Sequence, residues 1–155
     1  LLLTNMYGPG DVFSVERAHV ASALIKKFMV AKRNNEPAVE VLGTGKAIRE
    51  FLYVEDAAEA ILLAAEKYDD ALPLNVGSGE ETPIASLAQL IKELAGYTGT
   101  IRWNTDGPDG AIRKVSDISR IRRLLGWEPK FFLREGLKKT ITWFDEHYDE
   151  AVAKP

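Results

Sequence analysis

The sequence contains no cysteine. Disulfide frameworks, thiolate zinc sites and cysteine nucleophiles are therefore excluded within its 155 residues. Histidine is almost as scarce, with only His19 and His147 present, so a histidine-only metal site is not expected. No apolar run approaches the ~18 residues that a membrane span needs. Leu1-Leu2-Leu3 is too short for a signal peptide and lacks a basic flank. A net charge of −3 gives no overall attraction to nucleic acid or to an anionic membrane. A cytoplasmic location is the default expectation. Several signatures of known chemistry are also missing: there is no P-loop, no HExxH and no G-x-S-x-G. The strand–G-x-G-x-x-G–helix fingerprint of dinucleotide binding is absent too, because Gly8-Pro9-Gly10, Gly43-Thr44-Gly45 and Gly77-Ser78-Gly79 lack the third glycine.

What is present reads as one α/β domain. Apolar residues make up 46% of the chain, enough for a real core at this length. "LLLT" reads as a short buried strand entering a loop. A helix is predicted over residues 16–33, with Val20, Leu24, Ile25, Phe28 and Met29 on one face. "NNEP" ends it, and "AVEVLG" and "EFLYV" read as strands. A helix over 56–67 follows, with Asp56 placed to cap it. "LPLNVGSG" is a strand running into a glycine loop. Thr82 and Pro83 are predicted to open the next helix, and Gly96 to close it. "TIRW" is a strand, Asp117 caps a short helix ending at Gly126, and a last helix spans 134–148. The terminal "EAVAKP" is expected to fray. The strands are few and short for a complete doubly wound sheet.

Each G-x-G is weak evidence alone, since tight turns after strands use the same residues. The cations are more suggestive. Lys26 and Lys27 sit mid-helix, Arg49 follows a glycine turn and Arg113-Lys114 end a glycine-rich loop, and in an acidic chain these cations would bind a diphosphate if they converged. His19 opens an apolar helix face. It is either a half-buried structural histidine or a general acid/base, since imidazole exchanges protons near neutral pH. His147 is expected at the surface. Trp103, Trp127 and Trp143 read as core or staple residues.

Taken together, "TNMYGPGDVF…AHVASALIKKF" and "VLGTGKAIREFLYVEDAAEAI" resemble the GDP-L-fucose synthase family, part of the extended short-chain dehydrogenase/reductase superfamily. "LNVGSGEETPIASLAQLI", "PDGAIRK", "DISRIRRLLGWEPK" and "LREGLKKTITWF" continue the match to residue 144. The resemblance implies the C-terminal part of a Rossmann-type extended fold: a few sheet strands plus a small α/β substrate-binding lobe. Residues 1–155 match only the second half of such an enzyme. The family's N-terminal domain carries the NADPH-binding glycine loop and the Tyr-x-x-x-Lys pair, and no tyrosine here has Lys four positions on.

Enzymes of this family epimerise GDP-4-keto-6-deoxy-mannose on both sides of its ketone and then reduce the ketone with NADPH. The ketone acidifies the flanking C–H bonds, so one acid/base pair can serve both centres. The family's histidine acid/base falls on His19. The resemblance places Thr4, Asn5 and Met6 beside the nicotinamide. It assigns Asn5, His19, Val20, Lys27, Leu42, Arg49, Asp109 and Lys114 to the substrate, and no metal is implied. Against the family pattern, Val12 stands where Asn is common and Ala18 where Ser is. Lys27 occupies a usual Arg position, and Leu42 that of a usual aromatic. The expected ligand is a GDP-sugar. Other readings are a UDP- or dTDP-sugar epimerase or dehydratase, and a non-catalytic nucleotide-sugar-binding module. Neither tight NADPH binding nor catalysis is expected of this chain alone. Self-association, or pairing with an N-terminal half, would cover the apolar strand edge at residue 1.

Overall fold

The computed structural model describes residues 1–14, 18–106 and 110–153. In chain order the elements are β1 (Leu2–Leu3), β2 (Met6–Tyr7), α1 (Val20–Arg33), β3 (Ala38–Leu42), β4 (Ile48–Arg49) and β5 (Leu52–Tyr53). Then come α2 (Val54–Lys67), β6 (Asn75–Val76), β7 (Thr82–Pro83), α3 (Ile84–Ala95) and β8 (Thr100–Asn104). The last are β9 (Arg113–Lys114), α4 (Ser119–Leu125), α5 (Leu133–Glu146) and α6 (Tyr148–Ala153). Strand pairing is mostly parallel: β1 with β6, β2 with β5 and β3 with β8. β4 lies between antiparallel β7 and parallel β9. Parallel pairing with intervening helices is the α/β class expected.

The predicted stripe of α1 is inward. Leu24, Ile25, Phe28 and Met29 are buried and Val20 half-buried. The helix begins at Val20, because His19 is the N-cap with extended backbone (φ −67°, ψ 159°), and the expected start at 16 lies outside the described residues. α1 packs on α3, and α5 on both. Leu87, Ala88 and Ile91 from α3 and Leu137 and Phe144 from α5 meet Phe28 in one core. Burying a side chain of that size is worth about 1.5–3 kcal/mol. A second core gathers Leu52, Ala57, Ala60, Leu74, Val76, Ile118, Ile121 and Trp127 between α2, α4 and β6.

Several expectations need correction. Leu1, Leu2 and Leu3 form a strand entry, but they are 44%, 56% and 38% exposed, not buried. Among the described residues β1 is paired on one edge only, to β6. Thr82 and Pro83 form β7 against Arg49 and Ile48, so Pro83 is the N-cap of α3 and not its first helical residue, and Thr82 is not the cap. The φ of proline suits a strand as well as a helix, and here ψ is 140°, so the helix starts one residue later. Asp56 does not cap α2, whose N-cap is Tyr53. It sits inside the first turn, 1% exposed, and its carboxylate accepts the Lys130 and Phe131 N–H groups at 2.9 and 3.1 Å. Of the terminal stretch expected to fray, residues 150–153 are helical instead, since α6 runs to Ala153 with Ala151 buried, and residues 154 and 155 lie outside the described residues. The Arg33 guanidinium lies 3.5 Å from the Tyr148 ring centre and bonds Asp145 at 2.9 Å, which holds this end down. Asp117 does serve α4, accepting the Ser119 N–H at 2.8 Å. Gly96 closes α3 in the left-handed conformation, as expected.

Candidate functional site

The carboxyl ends of β1 and β6 lead into Thr4-Asn5 and Gly77-Ser78-Gly79. Loops beyond the carboxyl ends of parallel strands are where open α/β sheets hold ligands. A cavity of about 560 Å³ opens here, lined by Thr4, Asn5, Met6, Asp11, His19, Asn75, Lys114 and Ser116. Main-chain bonds fix its floor: Thr4 N donates to Val76 O at 3.1 Å, and Asn5 O accepts from Leu52 N at 3.0 Å. The Asn5 amide nitrogen donates to Glu50 O at 3.0 Å. His19 is exposed at the cavity rim, at the amino end of α1. Asp11 accepts from Val12 N at 2.7 Å and from the Ser22 hydroxyl, which ties the loop to α1.

A smaller cavity of about 220 Å³ is lined by Val20, Leu42, Gly43, Ala47 and Arg49. It adjoins the first through two links. Val20 follows His19 in sequence, and Arg49 is the register partner of Lys114 across β4 and β9. The Arg49 guanidinium donates to Ile48 O and Ala111 O at 2.8 and 2.7 Å. Lys27 lies two turns along α1 from Val20 on the same face. It lines a third cavity of about 450 Å³, with Lys26, Phe13 and Glu36. Its ammonium donates to Glu40 O at 2.8 Å.

The structure therefore brings Thr4, Asn5, Met6, His19 and Lys114 together, sets Val20, Leu42 and Arg49 beside them, and leaves Lys27 apart. Asp109 lies outside the described residues. The amino end of α1 and Lys114 border the first cavity and Arg49 the second, donors that suit a phosphorylated ligand, while Asp11 is the one carboxylate among the described residues of the first cavity's lining. Arg113, by contrast, is engaged with Glu81 at 2.7 Å. His147 is exposed, as expected, and stacks on Trp143 with centroids 4.6 Å apart. Burial pushes the Tyr7 phenol well above its ordinary value, and burial with the Glu55 hydrogen bond pushes Tyr53 up to about 12. Both rings lie in the first core and neither lines the cavity. Among the described residues no group of His, Asp and Glu is placed to hold a metal, and no helix is long and apolar enough to cross a membrane.

Sequence reasoning missed Glu50. It is 1% exposed, and its carboxylate accepts the Gly79 N–H at 2.9 Å and the Ser116 N–H at 2.6 Å. The available signal was an acidic residue directly before the apolar run Phe51–Val54, where a solvated charge is out of place.

The profile of the NAD dependent epimerase/dehydratase family matches residues 1–77. A probable GDP-L-fucose synthase 1 from Oryza sativa subsp. japonica is 45% identical over 144 residues, covering 93% of this chain and 44% of its own length. The crystal structure of a GDP-L-fucose synthetase from Naegleria fowleri bound to NADP matches with a TM-score of 0.92 at 33% identity. That match covers 97% of this chain and 47% of that one. A UDP-glucose 4-epimerase with UDP-glucose from Thermotoga maritima matches with a TM-score of 0.84 at 31% identity, over 94% and 45%. The chain thus spans about half the length of the curated relatives it matches.

Proposed function

The chain belongs to the NAD dependent epimerase/dehydratase family, and from that premise we propose that it forms the sugar-nucleotide-binding half of a GDP-L-fucose synthase-type enzyme. Such an enzyme epimerises and reduces GDP-4-keto-6-deoxy-mannose with NADPH. The observation that carries this reading is the gathering of His19, Asn5 and Lys114 around one cavity, with Arg49 and Val20 continuing it. His19 shuttles the proton at the carbons flanking the ketone. Its place at the rim, on the first residue before a well-packed helix, gives it solvent access for proton exchange and a fixed backbone. Lys114 and Arg49 hold the diphosphate, and Val20 and Leu42 contact the base. Lys27 is the outermost cation, reaching the nucleotide end only if it leaves Glu40 O.

Thr4, Asn5 and Met6 are the residues we place against the nicotinamide. Their position at the carboxyl end of a parallel strand pair suits that group. NADPH supplies the hydride when bound. The cofactor-binding half is the partner we assign to the exposed apolar face around Leu1, Leu2, Ile61 and Leu72, since the relatives have as much chain again to place.

The likeness to a UDP-glucose 4-epimerase favours a second reading, a UDP-sugar enzyme. Calorimetric titration with GDP, UDP and dTDP separates them, because a ligand that binds only the folded chain stabilises it by mass action. We expect GDP to bind and raise Tm, and His19→Ala to leave that binding intact while Arg49→Ala weakens it. Preference for UDP would overturn the GDP assignment. Absence of any nucleotide effect would remove the nucleotide reading.

A further inference from the structure

We propose that Glu50 is a positioning residue of the Asn5–His19 cavity, its buried carboxylate clasping the Gly77–Gly79 loop to the Lys114–Ser116 strand end. One carboxylate oxygen accepts the Gly79 N–H at 2.9 Å and the other the Ser116 N–H at 2.6 Å. The main-chain oxygen of the same residue accepts the Asn5 side-chain amide at 3.0 Å. One residue thus fixes three segments that are far apart in sequence: the strand end at Asn5, the glycine loop, and the strand end that carries Lys114. Asn5, Lys114 and Ser116 all line the cavity.

The burial shows how tightly this clasp is built. Glu50 is 1% exposed, and a carboxylate taken out of water is tolerated only when its oxygens are satisfied. Gly77 is shaped to it, because a Cβ there would sit 2.4 Å from a carboxylate oxygen. A charge-assisted pair of this kind is short and directional, so it sets positions closely. Arg49 precedes Glu50 and lines the neighbouring cavity, so displacement of Glu50 is carried to both walls.

A second buried carboxylate provides the control. Asp56 is equally buried and also accepts two main-chain N–H groups, but it holds Lys130 and Phe131, which line neither cavity. If burial and bonding alone mattered, the two would behave alike.

The test compares the parent chain with Glu50→Gln and Asp56→Asn by amide hydrogen exchange and by calorimetric titration with GDP. Glutamine keeps the shape but presents an NH₂ where one N–H must be accepted. We expect Glu50→Gln to raise exchange at Gly79 and Ser116 together and to weaken GDP roughly 10-fold, the scale of one lost charge-assisted hydrogen bond. Asp56→Asn should raise exchange at Lys130 and Phe131 and leave GDP affinity within about twofold. Unchanged protection at both Gly79 and Ser116 in Glu50→Gln would overturn the proposal, since the single amide oxygen can replace at most one of the two acceptors. So would an equal loss of GDP affinity in both variants at matched Tm. The affinity arm rests on the nucleotide reading above. A parent chain that binds no GDP sinks that reading, while the exchange arm still decides the clasp. Should Glu50→Gln fail to fold, Gly77→Ala displaces the same carboxylate from the other side, and its exchange pattern must match.

Discussion

Around Phe28, Leu87 and Phe144, helices α1, α3 and α5 bury their apolar residues against one another and against β3. Around Leu74 and Ile121, by contrast, α2, α4 and β6 cover one side only. Leu1, Leu2, Leu3, Ile61, Leu62 and Leu72 stay exposed nearby. Helix α2 shows why: Asp56, Ala57, Ala60 and Ala64 face the core, while Val54, Ala58, Ile61, Leu62 and Ala65 form a second apolar stripe turned to solvent. A helix apolar on two faces belongs between two layers. The first region is therefore closed by its own residues, whereas the second has surface still to be covered. The second also contains a buried Trp127 indole N–H with no hydrogen-bond partner among the described residues.

This contrast can be broken by mutation. Phe28→Ala should cost about 3–5 kcal/mol in a denaturant titration, since Phe28 is fully buried. Leu62→Ser, on the open face, should stay within about 0.5 kcal/mol and improve solubility. Equal losses at the two sites would end the distinction. Asp56 joins the regions, reaching from α2 to the segment that leads into α5. Asp56→Ala leaves two buried N–H groups unpaired and should cost about 2–4 kcal/mol, with both regions unfolding in one transition. Two separated transitions would show that the regions are independent. Trp127→Phe should cost less than about 1.5 kcal/mol, because the unpaired donor leaves with the volume. A larger loss would mean that the indole N–H has found a partner.

The smallest effect is electrostatic and lies in the closed region. The hydrogen bond and charge of Arg134 hold the Glu93 carboxyl below its ordinary value. A depressed carboxyl stabilises the fold above the unfolded-state value and ceases to do so as pH falls through the folded one. Arg134→Gln should therefore lower Tm slightly at neutral pH, and the difference from the parent should shrink and then vanish as pH falls through the lowered Glu93 value. A difference that persists in acid would assign the effect to packing.

Much of the closed region was legible in the sequence, since α1, α3 and α5 advertise single stripes at helical spacing and β3 alternates (Val39 and Val41 buried, Glu40 and Leu42 exposed). The open region misled because an apolar run such as Leu1–Leu3 signals a strand without saying whether anything covers it. Asp56 and Glu50 were misread or missed for a related reason. Their partners, Lys130, Phe131, Gly79 and Ser116, are distant in sequence, and no local pattern announces a bond to a remote main chain. Thr82 and Pro83 fit a helix start in every local respect, and only β4 alongside makes them a strand. In the candidate site, the sequence pointed to Asn5, His19 and Lys114 through the family resemblance. That Lys27 sits apart depends on Glu40 O, which is a matter of packing.

The pairing of β3 with β8 has a further consequence. Their register joins Ala38 to Thr100, so all of α2, β6 and α3 lies inside the loop that this pairing closes. Closing a long floppy loop is slow, because its entropy is lost before any contact rewards it. If the intervening helices form first, the loop is shortened to a few stiff pieces. The rate of folding should then depend on α2 and α3, although neither strand of the pair belongs to them.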